Sequence, residues 1–170
     1  MNSPYQDQRQ HHPRFIFDPL IPPLAHVVGR EQELLALKQR LCASDNGANM
    51  AIIGLPGVGK TTLAIAVALD ADIRAYFHDG ILWVGLGTTP NIVAHLGRWG
   101  TLLGLPESHA SSRNGEQLAL SVRSMIGARK MLLVIDDAWK LEDALLFQIG
   151  GSECVHLVTT RIPSLATALA

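Results

Sequence analysis

The sequence predicts an α/β fold in which a parallel β-sheet lies between two layers of helices, a three-layer sandwich. Segments with the 3.6-residue periodicity of amphipathic helices alternate with short apolar runs of strand type, at residues 50–53, 81–86, 131–135 and 155–159. Hydrophobicity in these runs is continuous rather than alternating, as in strands that are covered on both faces. Both observations are typical of a parallel sheet between helix layers.

The helical segments are indicated by apolar residues that recur at helical spacing. This spacing predicts one helix over about 30–41 and a second over about 91–103, which Gly104 and Pro106 close. A further helix is marked by apolar residues in the segment 118–125 and ends at Gly127. Helices therefore fall between the predicted strands.

Length and composition favour one domain, because 170 residues with 48% apolar content can form one substantial core. A net charge of −1 and dispersed basic residues argue against direct binding of nucleic acid. No apolar run approaches the roughly 20 residues that cross a bilayer, so we expect no membrane partner. Cys42 and Cys154 form no C-x-x-C pair, and a reducing cytoplasmic location is expected.

The N-terminal region differs from the rest in composition. Residues 1–13 are polar and rich in glutamine, so we expect a disordered lead-in, with the domain spanning 14–170. The segment 15–24 mixes large apolar side chains with three prolines. Proline disfavours a helix there, and we expect an extended segment over the core that can wall a ligand pocket.

The most informative motif is Gly54-Leu55-Pro56-Gly57-Val58-Gly59-Lys60-Thr61-Thr62, which matches the P-loop pattern G-x-x-x-x-G-K-[ST] at every specified position. A strand-type run precedes it and an Ala-rich helical run follows, as the motif requires. Glycine lets backbone N–H groups curl around a phosphate at the positive end of the helix. Lys60 is expected to contact the β and γ phosphates, and the Thr61 hydroxyl to bind Mg²⁺. The alternative is a Gly-rich turn that caps a buried helix, with Lys60 as a solvated surface charge.

Two acidic residues, Asp136 and Asp137, follow the third apolar run at the carboxyl edge of the predicted sheet, where α/β ligand sites form. Asp136 stands in the position of the Walker B acid that holds Mg²⁺, usually through water. Asp137 is then free to polarise an attacking water as a general base. Standing alone, the pair is equally consistent with a helix N-cap or a turn.

The fourth run ends in Thr159-Thr160-Arg161, polar groups that are expected to face the γ-phosphate at the same sheet edge. An arginine can report a terminal phosphate, because losing the phosphate removes a bidentate charge-assisted contact. The alternative is a solvated arginine after a strand. The tryptophans are expected to lie in the core rather than to stack on adenine: Trp83, Trp99 and Trp139.

Taken together, these motifs resemble the NB-ARC nucleotide-binding domains of STAND signalling ATPases. The resemblance covers about 26–161 and is carried, in order, by Val28-Gly29-Arg30-Glu31, residues 57–64, residues 80–84, residues 132–139 and Val158-Thr159-Thr160-Arg161. It implies a P-loop NTPase fold in which the fourth predicted strand lies between the first and the third. It also implies that backbone near Val28 borders the adenine.

The ligands implied are ATP or ADP with Mg²⁺. Lys60 and Asp137 are the candidate catalytic residues, and Thr61 and Asp136 the candidate metal ligands. The candidate nucleotide-binding residues are Val28, Gly29, Arg30, Gly54, Gly57, Val58, Gly59, Lys60, Thr61, Thr62, Thr160 and Arg161.

The sequence lacks several elements that follow in the family. In the family a fifth strand, a small helical subdomain and a winged helix follow, and none of them is found before Ala170. We therefore expect a core nucleotide-binding subdomain, truncated before the fifth strand, whose winged-helix and repeat partner modules are absent. An uncovered sheet edge beside the P-loop strand is expected as well.

These expectations favour a regulatory ADP/ATP switch with slow Mg²⁺-dependent hydrolysis and possible nucleotide-dependent oligomerisation. One alternative is a nucleotide-binding scaffold without turnover. A P-loop kinase is a further alternative, but it would need a lid with clustered arginines, and the sequence shows no such cluster.

Overall fold

The computed structural model describes residues 14–24, 28–43, 49–106 and 114–170, so the predicted lead-in 1–13 lies outside the described residues. The strands are β1 Ile16–Phe17, β2 Met50–Ile53, β3 Gly80–Gly87, β4 Met131–Ala138 and β5 Val155–Thr160. The helices are α1 Glu31–Cys42, α2 Lys60–Leu69, α3 Ala71–Tyr76, α4 Ile92–Leu102, α5 Gly115–Ile126, α6 Leu141–Leu145 and α7 Pro163–Leu169.

Within the described residues the five strands form one sheet in the order β1-β3-β4-β5-β2, and every neighbouring pair is parallel. The predicted α/β class with a parallel sheet is confirmed. β5 lies between the P-loop strand β2 and the acidic strand β4, as the resemblance implied. The carboxyl ends of β2, β4 and β5 therefore meet at one edge of the sheet.

Both faces of the sheet are covered, which explains the continuous hydrophobicity of its strands. Leu82 and Val84 of β3 pack in one cluster with residues of α4, α5, α6 and α7. Ile81 and Trp83 point to the opposite face and pack with residues of α1, α2 and α3. Successive strand residues face opposite sides of a sheet, so alternate residues of β3, β4 and β5 fill two separate cores.

The N-terminal segment adds a strand that the sequence analysis did not predict. Ile16 and Phe17 pair in parallel with Gly80 and Ile81 of β3, so the segment extends the sheet at its edge rather than lying over the core. The short strand continues into Asp18, which is fully buried. A run of two paired residues has too little pattern to be recognised as a strand.

Asp18 holds this segment in place through several hydrogen bonds. Its Oδ1 accepts from Arg98 Nη1 at 2.5 Å and from the Leu20 N–H at 2.9 Å, and its Oδ2 accepts from the Trp83 N–H at 2.9 Å. Arg98 Nη2 also donates to the Trp83 carbonyl at 2.7 Å. A buried carboxylate is tolerated when it is paired and hydrogen-bonded in this way.

The predicted long helices are present with boundaries set by their caps. The Asn91 side chain accepts from the Ala94 N–H at the start of α4, and α5 ends at Gly127 with φ of 55°. Three shorter helices, α3, α6 and α7, were not predicted, because 5 to 7 residues are too few to display a helical period. No helix in the described ranges is both long and apolar enough to traverse a bilayer.

Candidate functional site

The P-loop runs from β2 to α2 and carries two glycines in left-handed conformations. Gly57 has φ of 78° and Gly59 has φ of 85°, values at which a Cβ would strain the backbone. Gly59 is the N-cap of α2 and brings no side chain to occupy the first N–H groups of that helix. Those N–H groups and the helix dipole are suited to bind an anion.

Lys60 is the first residue of α2 and bends back over the loop. Its Nζ donates to the carbonyl oxygens of Gly54 at 2.8 Å and Leu55 at 2.9 Å. The residue is only 8% exposed, so it is not the solvated surface charge of the alternative interpretation. An ammonium group fixed here places a positive charge beside the cavity that Lys60 lines with Gly57 and Gly59.

Asp136 connects the P-loop helix with two strands. Thr61 Oγ1 donates to Asp136 Oδ1 at 2.8 Å, and Thr159 Oγ1 donates to the same oxygen at 2.6 Å. Burial raises the pKa of the Asp136 carboxyl, and the two hydroxyl hydrogen bonds partly oppose that rise. A cation beside this carboxyl would favour its ionised form and lower the pKa again.

A β-bulge at the end of β4 brings both acids to one side of the sheet. Ile135 pairs with Val158 and Ala138 with Thr160, so two residues of β4 stand opposite the single residue Thr159. Asp137 has φ of 52°, the only positive φ outside glycine among the described residues. Adjacent side chains of a regular strand face opposite sides, and an extra residue in the strand re-aims them. Asp136 and Asp137 consequently line the same cavity.

Arg161 follows β5 and lines this cavity. Its Nε lies 3.7 Å from Asp137 Oδ1, and its guanidinium carbon lies 5.2 Å from the centroid of the Trp139 ring. Trp139 is half-buried beside the site, so the prediction of a core position is wrong for this residue. It holds for Trp83 and Trp99, which are 3% and 0% exposed.

Thr160 is not brought to the site, whereas its neighbour Thr159 is. Thr160 is fully buried and its Oγ1 donates to the Ala138 carbonyl at 2.8 Å. Thr159 lines the cavity and was missing from the candidate residues. The period of two along a strand puts neighbouring residues on opposite faces, and this signal could have separated the two threonines.

Two adjoining cavities share Gly57, Gly59 and Thr62. The first, of about 350 Å³, is lined by Gly57, Gly59, Lys60, Thr61, Thr62, Asp136, Asp137, Thr159 and Arg161. The second, of about 220 Å³, is lined by Val28, Arg30, Gly57, Val58, Gly59, Thr62 and Leu63. Together they offer a charged, polar compartment beside a less polar one, as a phosphorylated ligand with an organic ring requires.

Of three further candidate residues, Arg30 lines the second cavity, whereas Gly29 and Gly54 line neither. Gly29, with φ of 76°, lies between Val28 and Arg30, and its N–H donates to Glu31 Oε1 at 3.3 Å. The Arg30 guanidinium lies against Gly59, where a Cβ would meet its central carbon at 3.6 Å. Gly54 contributes its carbonyl to Lys60 rather than a wall of either cavity.

The residues present fit a magnesium ion held together with a nucleotide. Among the described residues, no group of three or more His, Cys, Asp or Glu side chains could hold a metal alone. Mg²⁺ in nucleotide sites is bound by one or two protein oxygens and completed by phosphate and water. The Thr61 hydroxyl and the Asp136 carboxyl, 2.8 Å apart, supply such a pair of oxygens.

The parallel sheet, the P-loop and the acidic strand end define a nucleotide-binding domain of the P-loop α/β class. The model of the NB-ARC domain family matches residues 30–170. This chain belongs to the NB-ARC family, a family of nucleotide-binding signalling domains.

Several curated proteins are similar to this chain. The regulatory protein AfsR of Streptomyces griseus is 34% identical over 142 residues, which are 79% of this chain and 14% of that protein. The putative disease resistance protein At1g59780 of Arabidopsis thaliana is 30% identical over 124 residues, 70% of this chain and 13% of its own length. The disease resistance protein SUMM2 of the same plant is 29% identical over 114 residues, 67% of this chain and 13% of its length. The chain thus spans 13 to 14% of these relatives.

Proposed function

We propose that this chain is an ADP/ATP-binding switch domain of a regulatory protein and hydrolyses ATP slowly with Mg²⁺. The observation that carries the proposal is one cavity lined by a loop lysine, a threonine hydroxyl, two carboxylates and an arginine. Each of these groups has a separate task in binding or cleaving a terminal phosphate.

Binding of the phosphates is assigned to α2 and the loop before it. Lys60 exchanges its bonds to the Gly54 and Leu55 carbonyls for phosphate oxygens, which are stronger acceptors for an ammonium group. Thr61 and Asp136 would hold Mg²⁺, which supplies charge neutralisation for the terminal phosphates when bound. The cavity beside Val28 and Arg30 would receive the adenosine.

Hydrolysis is assigned to Asp137. Its carboxylate faces the same cavity as Asp136 and would accept a proton from water attacking the γ-phosphate. Arg161 would sense that phosphate, because its guanidinium is attracted to the triphosphate and lacks that partner in the diphosphate. ADP and ATP would then leave Arg161 in different positions, which is the physical basis of a switch.

A nucleotide-binding scaffold without turnover is the second candidate, and one observation favours it. Arg161 Nε lies 3.7 Å from Asp137 Oδ1, and an arginine that remained there would occupy a carboxylate oxygen that the attacking water has to reach. The two candidates differ in whether ATP releases Asp137 from Arg161.

The lengths of the relatives support a place for this domain in a longer protein, because the chain covers only 13 to 14% of proteins named as regulatory or disease resistance proteins. We propose that winged-helix and repeat modules act with this domain in a longer protein. Nucleotide-dependent oligomerisation and a cytoplasmic location are further parts of the proposal.

The test is calorimetric titration with ATP, ADP and GTP in the presence of Mg²⁺, followed by single-turnover release of phosphate from ATP. We expect both adenine nucleotides to bind, GTP to bind more weakly, and phosphate to appear slowly and only with Mg²⁺. Binding without any phosphate release would favour the scaffold, and the absence of binding would overturn both candidates.

A further inference from the structure

We infer that Thr159 is a positioning residue of the hydrolytic site, whose hydroxyl fixes the β-bulge that aims Asp137 into the cavity occupied by Asp136. The inference rests on the proposed function, because it concerns the two acids to which metal binding and hydrolysis are assigned. It gives a specific role to a residue that the motif at the end of β5 contains but that the candidate site residues left out.

The first observation is that one hydroxyl bonds both acids. Thr159 Oγ1 donates its proton to Asp136 Oδ1 at 2.6 Å and accepts the Asp137 N–H at 2.9 Å. A threonine hydroxyl has a single proton to donate and lone pairs to accept with. The Thr159 hydroxyl proton is therefore used in the bond to the Asp136 carboxyl, and the hydroxyl oxygen accepts from the Asp137 backbone.

The second observation is that the bulge requires a replacement acceptor. Where two residues of one strand stand opposite one residue of its neighbour, the backbone ladder is locally disrupted. Asp136 and Asp137 stand opposite Thr159 in this way. A buried N–H group without an acceptor destabilises a fold. The Thr159 side chain accepts the Asp137 N–H that the ladder would otherwise have to satisfy.

The third observation is the conformation of Asp137. Its φ of 52° lies in the left-handed region, which is unfavourable for a residue other than glycine. Such a conformation persists only where its surroundings hold it. The bond from the Asp137 N–H to Thr159 Oγ1 holds the strained residue directly, and Thr159 itself is only 1% exposed.

These observations give Thr159 a role that depends on its hydroxyl rather than on its size. Val keeps the branched shape of threonine and its preference for strands but offers neither donor nor acceptor. Ser keeps the hydroxyl and loses only a methyl group. We expect Thr159→Val to release Asp137 from the bulge geometry and Thr159→Ser to retain it.

The kinetic test compares ATP hydrolysis by the wild type, Thr159→Val and Thr159→Ser. Loss of a residue that orients a ligating or catalytic group costs about 10- to 100-fold in activity, so we expect kcat of Thr159→Val to fall by that factor. KM should change by less than about threefold, because Lys60 and the loop N–H groups are untouched. Thr159→Ser should recover most of kcat. Thr101→Val is the matched control, since the Thr101 hydroxyl bonds the Gly97 carbonyl within α4, outside both cavities.

The second readout needs no turnover, so it separates this inference from the proposed function. Hydrogen exchange of the Asp137 amide, followed by NMR on the full chain, should be slow in the wild type and Thr159→Ser and faster in Thr159→Val. If the wild type does not hydrolyse ATP, the proposal of hydrolysis fails. Hydrogen exchange of the Asp137 amide still tests the role of Thr159 in that case. Should Thr159→Val fail to fold, Thr159→Ala takes its place in both measurements. Unchanged kcat with unchanged Asp137 protection in the folded variant would overturn the inference.

Discussion

The Arg161 guanidinium lies over the indole of Trp139, with 5.2 Å between its carbon and the ring centroid. A cation at this distance is attracted to the negative face of the ring. Arg161 is also 3.7 Å from Asp137 Oδ1, so the arginine proposed to sense phosphate is held by two groups of the same site. A ligand that attracts Arg161 must alter both contacts.

If Arg161 binds the γ-phosphate as proposed, the fluorescence of Trp139 should report that phosphate. We expect ATP to change the tryptophan emission more than ADP, because only the triphosphate draws the guanidinium away from the ring. Stopped-flow or steady-state fluorescence titration measures the difference. In Trp139→Phe the difference should disappear, since Trp83 and Trp99 are buried and supply a constant background. Equal signals from ADP and ATP in the wild type would argue against a sensing role for Arg161.

Asp137→Asn should separate hydrolysis from binding. An amide cannot accept the proton of the attacking water, and loss of a general base typically costs about 10²- to 10⁴-fold. We expect phosphate release to fall by at least about 100-fold, while the affinity for ATP stays within about threefold of the wild type. Glu142→Gln removes an exposed acid on α6 and serves as the control. Wild-type hydrolysis in Asp137→Asn would show that another group activates the water.

His156 should make the fold sensitive to mild acid. Burial lowers its pKa to about 4, and its ring contacts Asn49 Oδ1 at 2.7 Å and accepts from the Gly150 N–H at 3.3 Å. In the unfolded chain the imidazole takes up a proton near pH 6.5, whereas the folded protein resists it until about pH 4. Protons therefore favour the unfolded state between these values, and stability falls by up to about 1.4 kcal/mol per pH unit on acidification.

Urea unfolding from pH 7 to pH 4 measures this loss, and His156→Gln should remove it. Asp136 acts in the opposite direction, because its raised pKa lets the folded state take up a proton more readily than the unfolded chain. Asp136 titrates in both proteins, so the difference between wild type and variant isolates the histidine. A parallel pH dependence of wild type and His156→Gln would contradict this explanation.

The ion pair between the fully buried Asp18 and Arg98, whose side chain is 22% exposed, should contribute strongly to the attachment of the N-terminal segment. Removing one partner of a buried ion pair leaves the other uncompensated, and we expect Asp18→Ala to lower the free energy of unfolding by about 3–5 kcal/mol. Asp72→Ala is the comparison, because Asp72 is 82% exposed in its pair with Lys38 and should cost less than about 1 kcal/mol. Chemical denaturation measures the free energy of unfolding of both variants. Similar small decreases in Asp18→Ala and Asp72→Ala would show that Asp18 does not anchor the N-terminal segment.

The sequence predicted those parts of the fold whose signal is local and repeated. Continuous apolar runs identified β2, β3, β4 and β5. The glycines that close α4 and α5 placed the C-terminal ends of these helices within one or two positions. Lys60, Thr61, Asp136 and Arg161 could be placed around one cavity because a parallel sheet brings the carboxyl ends of its strands together.

The remaining features depend on contacts that no local pattern encodes. The two-residue strand β1 is defined by pairing with β3, far away in the chain. The bulge at Asp137 depends on the register of β4 against β5, which sets Thr159 at the site and turns Thr160 away. Trp139 could not be distinguished from a core residue, because its neighbour Arg161 comes from the end of another strand.

The most direct test of the account is calorimetric titration of ADP and ATP into the wild type, Lys60→Ala and Lys140→Ala. Lys140 is an exposed lysine between β4 and α6 and controls for loss of positive charge. We predict that the wild type and Lys140→Ala bind both nucleotides and that Lys60→Ala does not. Equal affinity of Lys60→Ala and the wild type would contradict the assignment of the P-loop as the phosphate-binding site.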